Sequence, residues 1–215
     1  MSLISFSADK IAKTFNRRKI FNDISFSMKE FNSLSITGRN GSGKSTLLKI
    51  LAGVLSPTKG EMDLVIEGRV IKKENYFVHL GLVSPYLQLY DEFTGWENLD
   101  FFRKVRGLDT ADEYLSELLS RLNISERKND FVRTYSSGMK QRLKYAFALI
   151  HRPRILLLDE PTSNLDDEGI STIYQIMEEQ KKTGILIVAT NDKEDIKKCE
   201  QIIDLNIQVL KKGEK

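Results

Sequence analysis

The sequence predicts an α/β fold with a mainly parallel sheet core, an antiparallel β flank and a helical insert, and three observations predict it. Ser35-Ile36-Thr37 reads as a short strand that runs into Gly38-Arg39-Asn40-Gly41-Ser42-Gly43-Lys44-Ser45-Thr46, a glycine-rich turn matching G-x-x-x-x-G-K-[ST]. Two wholly apolar runs, Ile155 to Leu158 and Ile185 to Ala189, have the length and composition of buried parallel strands. Residues 86–152 carry apolar side chains at three- and four-residue intervals, a helical period.

At 215 residues, with 40% hydrophobic and 29% charged content, the chain suits a soluble globular domain with a sizeable core. We read one domain over 1–215: residues 1–85 and 153–215 form the core and its β flank, and 86–152 form the helical subdomain. Basic and acidic residues number 33 and 30, so the surface is mixed in sign and no nucleic-acid partner is expected. The single cysteine, Cys199, excludes an intramolecular disulfide and a cysteine zinc cluster, which fits a reducing compartment; it is read as a semi-buried helix residue. No apolar stretch approaches the roughly 18 to 20 residues that a membrane-spanning helix needs. Met1 to Phe6 alternates like a strand and has no signal-peptide pattern, so action at a membrane requires another chain to span it.

The elements follow in order. From Leu3 to Met28 apolar residues tend to alternate, with Asn16-Arg17-Arg18 as the turn between two strands. The strand at Ser35 and the glycine-rich turn lead into a helix over Lys44 to Val54, ended by Ser56-Pro57-Thr58-Lys59-Gly60. A further flank strand covers Met62 to Glu67, and Tyr76 to Val83 reads as a strand leading into Ser84-Pro85. Helices are expected over Trp96 to Val105, Thr110 to Leu122 and Ser137 to His151, with a break at Gly107-Leu108-Asp109 and a cap at Asp109 or Thr110. A helix from Asp167 to Lys182, closed by Gly184, links the two buried strands. Lys211 to Lys215 reads as a solvated, frayed tail.

The glycine-rich turn carries the first chemistry. Gly38, Gly41 and Gly43 let the backbone wrap a phosphate group with its N–H groups turned inward, and the following helix start adds its positive dipole end. Lys44 then reaches the β- and γ-phosphates, and the Ser45 hydroxyl suits a Mg²⁺ ion bridging them. The second centre is Asp159-Glu160, at the C-terminal edge of a buried strand, where open parallel sheets bind ligands. Asp159 suits the Mg²⁺ shell, and Glu160 suits orienting a water and drawing its proton.

With these pieces in order, the chain resembles the nucleotide-binding domain of ATP-binding cassette (ABC) proteins over nearly its whole length, which implies a P-loop NTPase fold of ABC type. Tyr135-Ser136-Ser137-Gly138-Met139 is similar to the family's Leu-Ser-Gly-Gly-Gln signature and stands about twenty residues before the acidic pair. Ser136 and Gly138 match it, Ser137 stays small, and Tyr135 and Met139 depart from it. The resemblance implies ATP and Mg²⁺ as ligands and a head-to-tail pair of such domains, expected as a homodimer, with the Ser136–Gly138 signature of one subunit closing over the triphosphate held by the other. It also implies transmembrane partner subunits, and hence a place at the cytoplasmic face of a membrane. Ser163-Asn164-Leu165-Asp166 resembles the loop that joins the two sites, and Asp166 equally suits a helix cap. Phe15 lies where the family stacks an aromatic on adenine; packing into the core is the other reading of that residue.

Two departures concern the γ-phosphate. Pro85 stands where the family has a glutamine near Mg²⁺ and the attacking water, and Gln88 either replaces it or faces solvent. Asn191 stands at the family's histidine; its amide donates a hydrogen bond but takes up no proton. The leading function is therefore an ATP-hydrolysing transporter subunit in which Glu160, Lys44 and Asn191 serve catalysis. The alternatives are an ATP-gated scaffold with little turnover and a soluble ABC ATPase in cofactor assembly. Within transporters the compact length resembles small exporter-type subunits, such as haem-exporter ATPases, more than sugar importers.

Overall fold

The computed structural model describes residues 4–29, 32–207 and 209–212. In chain order these form β1 (Ile4–Phe15), β2 (Arg18–Lys29), β3 (Ser33–Thr37), α1 (Lys44–Leu51), β4 (Lys59–Ile66), β5 (Arg69–Ile71), α2 (Tyr76–His79), β6 (Leu80–Val83), α3 (Gly95–Val105), α4 (Asp112–Arg121), α5 (Ser137–Leu149), β7 (Ile155–Asp159), α6 (Asp167–Thr183), β8 (Ile185–Ala189), α7 (Lys193–Lys197), β9 (Gln201–Asp204) and β10 (Val209–Lys212). Asn16 and Arg17 both sit at positive φ, 45° and 67°, the pair of left-handed residues that lets β1 turn tightly into β2.

Two sheets result. The flank has strand order β2-β1-β4-β5, and its pairs are all antiparallel. The core has order β10-β9-β3-β8-β7-β6, with β9, β3, β8, β7 and β6 parallel and β10 antiparallel at one edge. Alternation along β7 and β8 divides the interior. Ile155, Leu157, Ile185, Ile187 and Ala189 pack with α1 and the flank, whereas Leu156, Leu158, Leu186 and Val188 pack with α5, α6 and the helical insert. Both faces are covered, which is why these strands read as continuous apolar runs. Each fully buried Leu or Ile there contributes about 1.5–3 kcal/mol.

Several expectations change. Tyr76–His79 is a helical turn, and only Leu80–Val83 is strand, because Tyr76 turns inward to donate its hydroxyl to Met62 O at 3.1 Å. Helix α1 stops at Leu51 and turns at Gly53, where φ is 74°, short of Val54. Neither Asp109 nor Thr110 caps α4; Ala111 occupies that place without a side-chain bond. Cys199 is buried but follows α7 rather than lying in a helix. Lys211 and Lys212 belong to β10, whose ladder with β9 replaces the expected frayed tail. Leu3 and residues 213–215 lie outside the described residues, while β5, α7 and β9 had no clear signal in the sequence.

Candidate functional site

Strand β3 lies between β8 and β9, so its C-terminal end opens at the centre of the parallel sheet. There Gly43 takes φ 103° and stands at the N-cap of α1 with no side chain bonding to the helix start, which leaves first-turn N–H groups for an anion. A Cβ on Gly43 would fall 2.5 Å from Ile20 Cγ2, so the β1–β2 hairpin presses directly on the turn. At Gly41, φ 81°, an added Cβ would meet no described atom within 4 Å: this is the open side of the cradle. Ser42 Oγ is buried there without a hydrogen-bond partner among the described residues. An open concavity with unsatisfied polar groups fits the phosphates of a nucleotide.

Side chains converge on this turn from neighbouring strands. Lys44, only 7% exposed, donates from Nζ to Gly38 O at 2.9 Å and lies 3.7 Å from Glu160 Oε1. Ser45 Oγ donates to Asp159 Oδ1 at 3.0 Å. Asp159 shares the face of Ile155 and Leu157 on β7, and so points toward α1. Burial pushes its carboxyl up, while the Ser45 hydroxyl, Lys49 and Lys44 pull it back. Two oxygens so paired suit Mg²⁺, which takes few protein ligands and keeps several waters. Asn191 Nδ2 donates to Asn40 Oδ1 at 3.0 Å, and Arg39 N donates to Asn206 Oδ1 at 3.2 Å. Thr46 is half-buried in the first turn of α1.

Successive residues on a strand face opposite ways, so Asp159 and Glu160 share a site only if the backbone leaves the sheet. Glu160 does so by adopting φ 50°, with its N–H donating to Ala189 O at 2.8 Å. Its carboxylate thereby meets Lys44 and, at 3.4 Å, Thr190 Oγ1.

The remaining candidates divide. Ser136 accepts from Met139 N at 3.2 Å as the cap of α5, and both Ser136 and Ser137 are exposed. Tyr135 is buried and donates its hydroxyl to Arg127 O at 2.7 Å, which gives this departure from the signature an anchoring role. A Cβ on Gly138 would lie 2.9 Å from Asn164 O, and Arg142 pairs with Asp166, which caps α6 by accepting from Gly169 N at 2.9 Å. Phe15 is 44% exposed at the hairpin tip, with Lys13 Nζ 4.7 Å from its ring centre, so it is no core residue and its ring is available for stacking. Gln88 is exposed, and Pro85 offers its carbonyl to Lys144 Nζ at 3.0 Å; neither is brought to the phosphate turn by a hydrogen bond. Sequence reasoning missed the buried Asp195 and Thr190 and the half-buried Thr162 and Tyr174, which form a polar cluster behind Glu160. Only the Asp192 cap that starts α7 could have signalled it.

The sequence model of the ABC transporter family matches residues 21–163. The chain belongs to the ABC transporter family. It is 32% identical over 208 residues to an uncharacterized ABC transporter ATP-binding protein, YybJ, of Bacillus subtilis, covering 95% of this chain and 94% of that one. It is 33% identical over 188 residues to the linearmycin resistance ATP-binding protein LnrL of the same organism, covering 86% of this chain but 60% of LnrL. The lantibiotic transport ATP-binding protein SrtF of Streptococcus pyogenes is 30% identical over 181 residues, 84% of this chain and 77% of SrtF. In fold the chain matches a solved ATP-binding subunit of an ABC transporter with a TM-score of 0.79 at 24% identity, over 93% of this chain and 85% of that one. These relatives make it an ABC nucleotide-binding subunit.

Proposed function

We propose that this chain binds MgATP at Gly38 to Thr46, hydrolyses it, and drives a membrane transporter as one of two nucleotide-binding subunits. The observation that carries the reading is the convergence of the Ser45–Asp159 pair and of Glu160 with Lys44 on one open phosphate cradle. The cradle amides and Lys44 hold and neutralise the phosphates. Mg²⁺, held by Ser45 and Asp159, would supply further charge neutralisation at the β- and γ-phosphates. Glu160 orients the attacking water and takes its proton, while the Asn191 amide donates a hydrogen bond to the γ-phosphate. Phe15 stacks on adenine at the hairpin tip beside the cradle.

The unit is 1–215, with 86–152 as a helical subdomain. The Ser136–Gly138 start of α5, with Ser136 and Ser137 exposed, closes over the triphosphate of a second copy, head to tail. Among the described residues no helix is long and apolar enough to cross a membrane; the kinship with transporter ATP-binding proteins supports transmembrane partner subunits. A largely apolar groove of about 470 Å³ between the core and the helical insert, lined by Phe77, Leu82, Tyr86 and Phe102 and edged by Lys49 and Arg106, suits a segment of such a partner at the cytoplasmic face. LnrL is named for linearmycin resistance and SrtF for lantibiotic transport, which supports the transport reading.

The test is Glu160→Gln. Steady-state ATP turnover of the purified chain falls by roughly 10²- to 10⁴-fold, while ATP affinity stays within about twofold. Unchanged turnover in the variant would overturn the role of Glu160. A native chain that binds ATP but turns none over would favour the scaffold reading, which the Asn191–Asn40 bond in place of a titrating histidine supports.

A further inference from the structure

Behind the groups that face the phosphates lies a buried carboxylate that the proposed chemistry does not use. Asp195, the third residue of α7, is 1% exposed, and hydroxyls from three separate segments donate to it. Thr190 Oγ1 lies at 3.0 Å, Tyr174 OH at 3.1 Å and Thr162 Oγ1 at 3.2 Å. Thr162 follows Glu160 by two residues, Thr190 immediately precedes Asn191, and Tyr174 stands on α6. Thr190 also accepts from Asp192 N at 3.0 Å, so its proton is directed away from that amide toward the carboxylates. The bond to Asp195 is shorter than the 3.4 Å contact to Glu160 Oε2. A second tie holds the same segment from α5: the buried Tyr145 hydroxyl donates to Pro161 O at 2.9 Å.

An ionised carboxylate accepts all three hydroxyl protons at once, whereas an amide offers one oxygen and two competing donors. We propose that Asp195 is a positioning residue for ATP hydrolysis: it pins the segment carrying Glu160 to the segment carrying Asn191 and sets both against α6. Glu160 holds φ 50° on a backbone that has left the sheet, a conformation that persists only when its surroundings over-determine it. Displacement of a reacting group by about 1 Å can cost on the order of 10²-fold in rate, so a clamp on both segments is a rate device.

The inference rests on the hydrolysis reading, and the experiment separates the two. ATP turnover, ATP affinity and thermal midpoint are measured for the native chain and for Asp195→Asn, Thr162→Val and Thr190→Val. We expect Asp195→Asn to lower kcat about tenfold or more, with KM and ATP affinity within about twofold. The single threonine variants should lose less, and Thr190→Val should cost less in the Asp195→Asn background than in the native chain, because the two changes weaken one shared interaction. The threonine variants carry the test if Asp195→Asn fails to fold. Native turnover with kcat within twofold in every folded variant would overturn the inference, as would losses that track a falling thermal midpoint or add independently. A native chain with no turnover would overturn the hydrolysis reading, and the Asp195 role with it.

Discussion

Glu160 and His151 show how far one backbone angle or one neighbour decides what a side chain can do. The left-handed φ of Glu160 costs on the order of 1 kcal/mol or more, yet it alone brings the carboxylate to the side of the sheet where Lys44 and the phosphate turn lie. His151 is held neutral: Arg106 Nη1 donates to Nδ1 at 3.2 Å, and Nε2–H donates to Leu80 O at 3.0 Å. Burial and the facing guanidinium push its pKa down from near 6.5 to about 4. A folded value below the unfolded one means the neutral ring favours folding; that contribution is complete above about pH 6.5 and is lost as pH falls toward 4. The whole displacement is worth on the order of 3 kcal/mol. Thermal midpoints of the native chain should therefore fall between pH 6.5 and 4 more steeply than those of His151→Gln, and parallel curves would refute the assignment. The residues of the phosphate turn were legible because their spacing is the chemistry. Thr162, Tyr174 and Thr190 were not, since they reach Asp195 from three segments and share no spacing.

At the scale of elements, helix starts repeat one solution with different residues. Helix α3 begins with a full capping box: Thr94 Oγ1 accepts from Glu97 N at 3.1 Å, and Glu97 Oε2 accepts from Thr94 N at 2.8 Å. Removing the hydroxyl in Thr94→Ala should cost about 1 kcal/mol and lower the thermal midpoint by roughly 2–4 °C in a domain of this size. An unchanged midpoint would show that the flanking Thr94–Phe131 bridge alone holds this helix start. Helix α1 is the opposite case, with Gly43 at its cap and no side-chain bond, which keeps its first amides free for a ligand. Amphipathic spacing announced α3, α4 and α5 to within two residues. It failed at Tyr76–His79, where four residues of mixed polarity fit either period and only the buried Tyr76 ring settles the matter.

Across the whole molecule, close packing between the helical insert and the core depends on Gly81. A Cβ at this position would fall 2.3 Å from Ala148 O and 2.9 Å from Pro153 Cγ, so β6 and α5 touch through backbone. Gly81→Ala should force α5 away from the sheet, cost about 1–3 kcal/mol and lower the urea midpoint. A variant as stable as the native chain would show that this junction gives without cost. The same helix carries Ser136 at its start and Arg142 against Asp166, so its placement links the exposed Ser136 and Ser137 to the loop after Glu160. That link joins two lengths of chain that are far apart in sequence. No local pattern records it.

By itself the sequence determined the two buried strands, the helical insert, the phosphate turn and the acidic pair, because each is specified within a dozen residues by period, turn chemistry or ligand spacing. Tertiary structure alone decided that Asp159 faces α1 while Glu160 swings out to Lys44, that Asn191 rests on Asn40, that Phe15 is exposed at the hairpin tip, and that Asp195 gathers three hydroxyls behind the site. These are meetings between segments distant along the chain. Their partners are set by strand order and by the direction of a turn, which side-chain spacing within one segment does not encode.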